Sequence, residues 1–106
     1  PCEYTLMRER VSPSDRYVAE IYSASCGISG SRSVVMLRDR SALRLARVDE
    51  TPPGTVVAND FTAAGVGEDL IWDGETTLVL QYSSAQAPRV TSTEWGGVRI
   101  EARRAP

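Results

Sequence analysis

The stretch EYTLMRERV-SPSDR-YVAEIYSAS at residues 3–25 carries the clearest structural signal in the chain. Its two outer runs, 3–11 and 17–25, are rich in β-branched and aromatic residues, which favour strands. The residues between them, 12–16, are mostly turn formers, with serine, proline and aspartate among them. The pattern predicts a β-hairpin.

Centring this hairpin on Ser14 sets the register of its two strands. Met7 then faces Ile21 on a mostly apolar side, which we assign to the core. On the other side Arg8 faces Glu20, an opposite-charge pair of the kind that stabilises neighbouring strands.

The same register places Cys2 opposite Cys26. Directly opposed residues of an antiparallel pair lie within the Cα separation of about 4.4–6.8 Å that a disulfide needs. We therefore predict a Cys2–Cys26 disulfide, which closes a loop of about 25 residues and stabilises the fold by roughly 3.5 kcal/mol. A structural disulfide favours an extracytoplasmic location: periplasmic, secreted or anchored to the envelope. Because the chain begins with Pro1 and not Met, we also expect that a preceding segment was removed.

The composition restricts the fold and the partners. The chain has 106 residues, of which 42% are hydrophobic and 25% charged, and we expect a single β-domain over 1–106. No apolar run approaches the ~20 residues of a membrane-spanning helix, so we expect no transmembrane segment in this chain. A formal net charge of −2 offers no general counter-charge to phosphates, so nucleic acid is not an expected partner.

The chain contains no histidine and no lysine. Histidine-assisted nucleophiles, histidine-ligated zinc and lysine Schiff bases are therefore excluded. Carboxylates, two thiols, hydroxyls and arginines remain as chemical groups. We expect no enzyme activity, no cofactor and no metal.

Short apolar runs separated by turn residues predict further strands. Asp73-Gly74 between two such runs predicts a second hairpin, whereas Gly96-Gly97 is either a two-residue turn or a bulge within one long strand. Residues 41–48 suit an edge strand better than the short helix that they also allow. With these runs the chain has about eight short antiparallel strands, which predict an all-β meander, sandwich or curled sheet with one disulfide. The other expected strands cover residues 34–37, 56–58, 70–72, 77–82, 89–95 and 98–103.

The string SPSDRYVAE at 12–20 resembles the S-P-D-G-R/K-Y-x-A motif of propeller-type repeats in secreted bacterial proteins. It is still more similar to small exported bacterial β-domain proteins and lipoproteins of uncharacterised function, which follow this hairpin with Cys-Gly, here Cys26-Gly27. The family's Asp-Gly is replaced by Ser14-Asp15, and residues 40–55 do not align. The resemblance implies an exported β-domain and assigns no catalytic residue. Later similarities to the family lie at residues 56–60, 72–82 and 97–100.

Three groups of residues suggest alternative chemistry. Cys26 and Arg32 form a C-x5-R string that is similar to the phosphate loop of cysteine-dependent phosphatases, although it leads into an apolar run typical of a strand and not into a helix. An acidic cluster around the second hairpin suits calcium ligation or acid/base chemistry, but its spacing matches no calcium loop and exposed turns are commonly acidic. An arginine-rich stretch is either an anion-binding patch or, as we favour, a solvated face. The acidic cluster comprises Glu68, Asp69, Asp73 and Glu75, and the stretch comprises Arg38, Arg40, Arg44 and Arg47.

The hypothesis that these observations favour is a non-enzymatic exported domain that binds another protein or a cell-envelope component. Its candidate binding surface is Tyr4, Leu6 and Tyr22, which lie beside the disulfide on the side assigned away from the core. One alternative is a structural module of a larger envelope assembly, built by pairing of sheet edges. A phosphatase that uses the C-x5-R string is the other.

Overall fold

A computed structural model describes residues 2–42 and 51–106, and in these ranges the chain is all-β. The expected strand at 41–48 lies almost wholly outside the described residues. The strands are β1 (Glu3–Val11), β2 (Tyr17–Ser25), β3 (Ser31–Asp39), β4 (Thr55–Asn59), β5 (Asp69–Asp73), β6 (Thr77–Tyr82), β7 (Arg89–Val90), β8 (Glu94–Trp95) and β9 (Val98–Arg104).

The strands form two sheets. Sheet A is five-stranded with the order β1-β2-β3-β4-β7, and sheet B is four-stranded with the order β5-β6-β9-β8. All neighbouring strands are antiparallel except β6 and β9, which are parallel. The expected all-β fold is confirmed. The expected strand at 89–95 is divided, because β7 joins sheet A and β8 joins sheet B.

One hydrophobic cluster lies between the sheets and makes the fold a sandwich. Along most strands every second side chain turns into this cluster, as alternation dictates. In β4 the adjacent Val57 and Ala58 both belong to it, at a shift in the β3–β4 register. Full burial of such an aliphatic side chain contributes roughly 1.5–3 kcal/mol to the stability of the fold. These contacts therefore hold the two sheets together. Sheet A contributes Tyr17, Ala19, Ile21, Val35, Leu37, Val57 and Ala58, and sheet B contributes Leu70, Leu78, Leu80, Val98 and Ile100.

The predicted register of the first hairpin is right for residues 3–6 and wrong beyond them. A bulge at Met7 moves Arg8 opposite Ile21, so the predicted pairs of Arg8 with Glu20 and of Met7 with Ile21 do not form. Met7 faces no residue of β2 and is 58% exposed, whereas we expected it in the core.

The bulge also turns two arginines towards sheet B. Arg8 and Arg10 lie opposite core residues of β2, and both donate to Oδ1 of Asp69 at the start of β5, at 2.9 and 3.2 Å. Trp72 Nε1 of β5 donates to the carbonyl oxygen of Arg10 at 2.9 Å. The bulge therefore connects the edge of sheet A to the edge of sheet B.

The loop of the first hairpin is closed by Ser12 and Tyr17. The Ser12 N–H donates to the Tyr17 carbonyl at 2.9 Å, and the Tyr17 N–H donates to Ser12 Oγ at 3.0 Å. Asp15 within the loop has a φ of 65°, the left-handed region that favours glycine. The motif that residues 12–20 resemble has glycine at this position.

Both glycine-containing turns of sheet B are tight. Trp95 pairs with Val98, and both glycines between them have positive φ, so Gly96-Gly97 is a two-residue turn and not a bulge. The second hairpin is confirmed by the pairing of Asp73 with Thr77. Its loop has three residues, 74–76.

Candidate interaction surfaces

The predicted disulfide between Cys2 and Cys26 is confirmed, with an S–S distance of 2.02 Å. It joins the start of β1 to the end of β2. A short 3-10 turn at Gly27–Ser29 follows, and the chain then enters β3. Both cysteines of the chain are thus used in one covalent bond.

This arrangement differs from a phosphatase phosphate loop. That loop needs a free thiolate and backbone amides that lead into a helix. Here the Cys26 sulfur is bonded to Cys2, and Arg32 lies on an exposed position of β3. The C-x5-R string therefore does not form that loop in this structure.

The residues of the predicted binding surface have different exposures. Tyr22 is only 4% exposed, so its ring lies below the surface. Tyr4 is half-buried and packs edge-on against Tyr22, with ring centroids 6.4 Å apart. Leu6 lies directly opposite Tyr22 and is 36% exposed. Tyr4 and Leu6 therefore reach the surface, and Tyr22 supports Tyr4 from beneath.

Two further apolar side chains are exposed, one on β1 and one in the turn between β2 and β3. Met7 projects at the bulge, and Ile28 is fully exposed in the turn after Cys26. We call Tyr4, Leu6, Met7 and Ile28 the hairpin patch. Ile28 was detectable in the sequence, because it stands in a glycine-flanked turn with no strand pattern to bury it. Met7 was not, because no residue signals the bulge.

The arginine-rich stretch is engaged within the chain where it is described. Arg38 Nε lies 3.0 Å from Oε1 of Glu20, whose side chain is fully buried, and Arg38 Nη1 donates to the Ala42 carbonyl at 3.2 Å. Arg40 forms an exposed ion pair of 3.2 Å with Asp15. The solvated-face interpretation is thus wrong for Arg38, which belongs to a buried ion pair. The other two arginines of the stretch lie outside the described residues.

Glu68 and Asp69 of the acidic cluster each bind different groups of the chain. Glu68 accepts hydrogen bonds from the backbone N–H groups of Ser83 at 2.8 Å and Gly65 at 2.9 Å. These bonds favour the carboxylate and hold the pKa of Glu68 below its usual value. Asp69 is held by the two arginines of β1, Arg8 and Arg10.

The other two acidic residues also have their own contacts. Glu75 accepts hydrogen bonds from the N–H and hydroxyl of Ser14, chiefly the hydroxyl, and these lower the pKa of Glu75. Asp73 lies 3.8 Å from Arg103 Nη2. Within residues 2–42 and 51–106, no three His, Cys, Asp or Glu side chains are grouped as a metal site.

An aromatic cluster that the sequence did not suggest closes the opposite end of the sandwich. Tyr17 stacks on Trp72, with centroids 6.3 Å apart, and meets Trp95 edge-on at 5.6 Å. Trp95 Nε1 donates to Thr55 Oγ1 at 3.1 Å. Each of the three aromatic residues lies at or near the end of a strand, beside a turn. This position was the only feature of the sequence that could have indicated the cluster. Because the rings pack on the core and both indole N–H groups are bonded, the cluster seals this end.

A shallow groove of about 420 Å³ lies beside the β8–β9 turn and is lined by Thr93, Glu94, Gly97 and Arg99. Arg99 is well exposed and lies 4.0 Å from Glu101. The groove is open and polar, and contains no buried charged group among the described residues. We therefore regard the hairpin patch, and not this groove, as the candidate binding site.

Across the ranges described, no helix is long and apolar enough to cross a membrane. The chain matches no protein-family model, no curated protein and no solved structure.

Proposed function

We propose that this chain is a non-enzymatic extracytoplasmic binding domain that recognises another protein of the envelope or extracellular space through the hairpin patch. The observation that carries the proposal is the exposure of Leu6 (36%) and Met7 (58%) on β1 and of Ile28 (fully exposed) in the turn that follows the disulfide-closed hairpin. Apolar side chains exposed together commonly mark contact surfaces for proteins.

The disulfide supports the extracytoplasmic part of the proposal. Disulfides persist in oxidising compartments and are rare in cytosolic proteins. Small exported domains use them because a core of this size contributes only a narrow margin of stability.

The chemistry of the chain supports a binding role over catalysis. With neither histidine nor lysine, a nucleophile would lack its commonest activating partners. Both thiols are bonded to each other, and the carboxylates of the acidic cluster have separate partners in the chain. The apolar side chains of Leu6, Met7 and Ile28, in contrast, are exposed to solvent.

The test is capture of a partner from envelope proteins of the source organism on immobilised protein. We expect wild type to retain a partner that the triple variant Leu6→Ser/Met7→Ser/Ile28→Ser does not retain. Val66→Ser is the control, because Val66 is a strongly exposed apolar residue (94%) like Ile28 but lies in the connection after β4. A partner retained equally by all three proteins, or no partner at all, would contradict the proposal. The single variant Ile28→Ser tests the patch without altering β1.

A further inference from the structure

The two sheets have edge strands of very different length. β7 and β8, at two edges, have two residues each, and β5 has five. β1 has nine residues, all exposed or half-exposed, and among the described strands it pairs only with β2. An exposed edge of this length is a template for a further strand.

We propose that two copies of this chain pair through β1, antiparallel, about a two-fold axis that passes between Leu6 and Met7. The two five-stranded sheets then form one continuous sheet. Such an interface is isologous, because the same strand serves on both sides. The pairing does not depend on the proposed function.

The order of residues along β1 suits this pairing. At the axis the exposed Leu6 of each copy faces the exposed Met7 of the other. On either side, Glu3 of one copy faces Arg10 of the other, and no like charges are opposed. An apolar centre between opposite charges is the usual arrangement of a stable contact. The remaining facing pairs are Tyr4 with Glu9 and Thr5 with Arg8.

The bulge at Met7 places Glu3 and Arg10 on the same face of β1. In a regular strand Glu3 and Arg10 point to opposite sides, because successive side chains alternate. Here Met7 adds one residue, so Glu3 lies opposite Ser25 and Arg10 opposite Ala19, on the same face. An alternative pairing centred on Met7 itself opposes residues that point to different faces. The bulged strand therefore has one register that satisfies both charge and face.

Arg10 remains accessible for a second carboxylate. Its side chain is 43% exposed, with Nη2 3.2 Å from Asp69 Oδ1 and Nη1 donating to the Glu9 carbonyl at 3.1 Å. A guanidinium has five N–H donors, so it can bind Asp69 and Glu3 of the second copy together.

The test is the mass of the protein in solution, by size-exclusion chromatography with light scattering over a concentration series. We expect a species of twice the 11.5 kDa chain mass at high concentration. Glu3→Arg and Arg10→Glu each place like charges across the axis twice, and each raises the dissociation constant about tenfold or more. The double variant Glu3→Arg/Arg10→Glu restores the opposite charges and the dimer.

Arg89→Glu is the matched control, since Arg89 is an exposed arginine on β7 and its reversal leaves the dimer unchanged. Circular dichroism establishes that every variant is folded. A monomer at all concentrations, a dimer insensitive to both reversals, or a double variant that stays monomeric would overturn the proposal. Leu6 and Met7 belong to both proposed surfaces, so the two proposals are separated at residues that only one of them uses. Ile28→Ser tests capture of a partner, and Glu3→Arg and Arg10→Glu test the dimer.

Discussion

Asp15 and Gly54 hold backbone conformations that most side chains disfavour. Asp15 has a φ of 65° and Gly54 a φ of 122°. A Cβ added at Gly54 would lie 2.7 Å from the carbonyl oxygen of Leu37, which is closer than such atoms approach. The glycine after the two prolines therefore allows the chain to pass against β3 before β4 begins. The sequence marked the turn but not this close approach.

We expect Gly54→Ala to lower the free energy of unfolding by about 2 kcal/mol or more, because strained φ and a backbone clash act together. Gly74→Ala is the control: Gly74 has a φ of 70° with no atom near its Cβ position, so only about 1 kcal/mol is lost. Urea denaturation measures both. Equal losses would show that the approach to Leu37 has no energetic weight.

The lowered pKa of Glu68 makes the free energy of unfolding depend on pH. The N–H of Ser83, then that of Gly65, stabilises the carboxylate in the folded state. A carboxyl with a depressed folded pKa contributes stability at pH values above its ordinary 4.5 and loses it as pH falls through the folded value. We expect Glu68→Gln to have a lower melting temperature than wild type at pH 7. The difference should shrink below pH 4.5, and a difference independent of pH would contradict this account.

The first hairpin follows the predicted register near the disulfide and departs from it beyond Leu6. Residues 3–6 have the partners that centring the loop on Ser14 predicts. The bulge at Met7 shifts the partners of all residues between it and the loop by one position. Since a bulge is an extra residue without a required side chain, alternation of apolar and polar residues cannot locate it. The contact of Arg8 with Asp69 on another strand shows the bulge's structural use.

We expect the double variant Cys2→Ser/Cys26→Ser to be less stable than wild type by roughly 3.5 kcal/mol, because the disulfide restricts the unfolded chain. Denaturation in urea measures the loss. Wild type with its disulfide reduced is the matched control and should fall to the same stability. A variant within about 0.5 kcal/mol of wild type would mean that the hairpin does not need its covalent closure.

The crossover from β6 to β9 joins the two sheets of the molecule. The chain leaves β6 in sheet B, adds β7 to sheet A, and returns through β8 to place β9 parallel to β6. The sequence predicted antiparallel neighbours throughout, because a parallel pair joined by so short a connection has no local sequence signature. The same return brings Trp95 against Tyr17 and completes the aromatic cluster.

Local patterning was sufficient for the all-β class, most strands, the second hairpin and the disulfide, because each depends on alternation, turn residues or pairing near a turn. The tertiary structure decided which face was covered. It buried Tyr22 and the Glu20–Arg38 ion pair while leaving Met7 and Ile28 exposed. The reason is physical: alternation separates two faces of a strand, but only contacts between residues distant in sequence determine which face meets water.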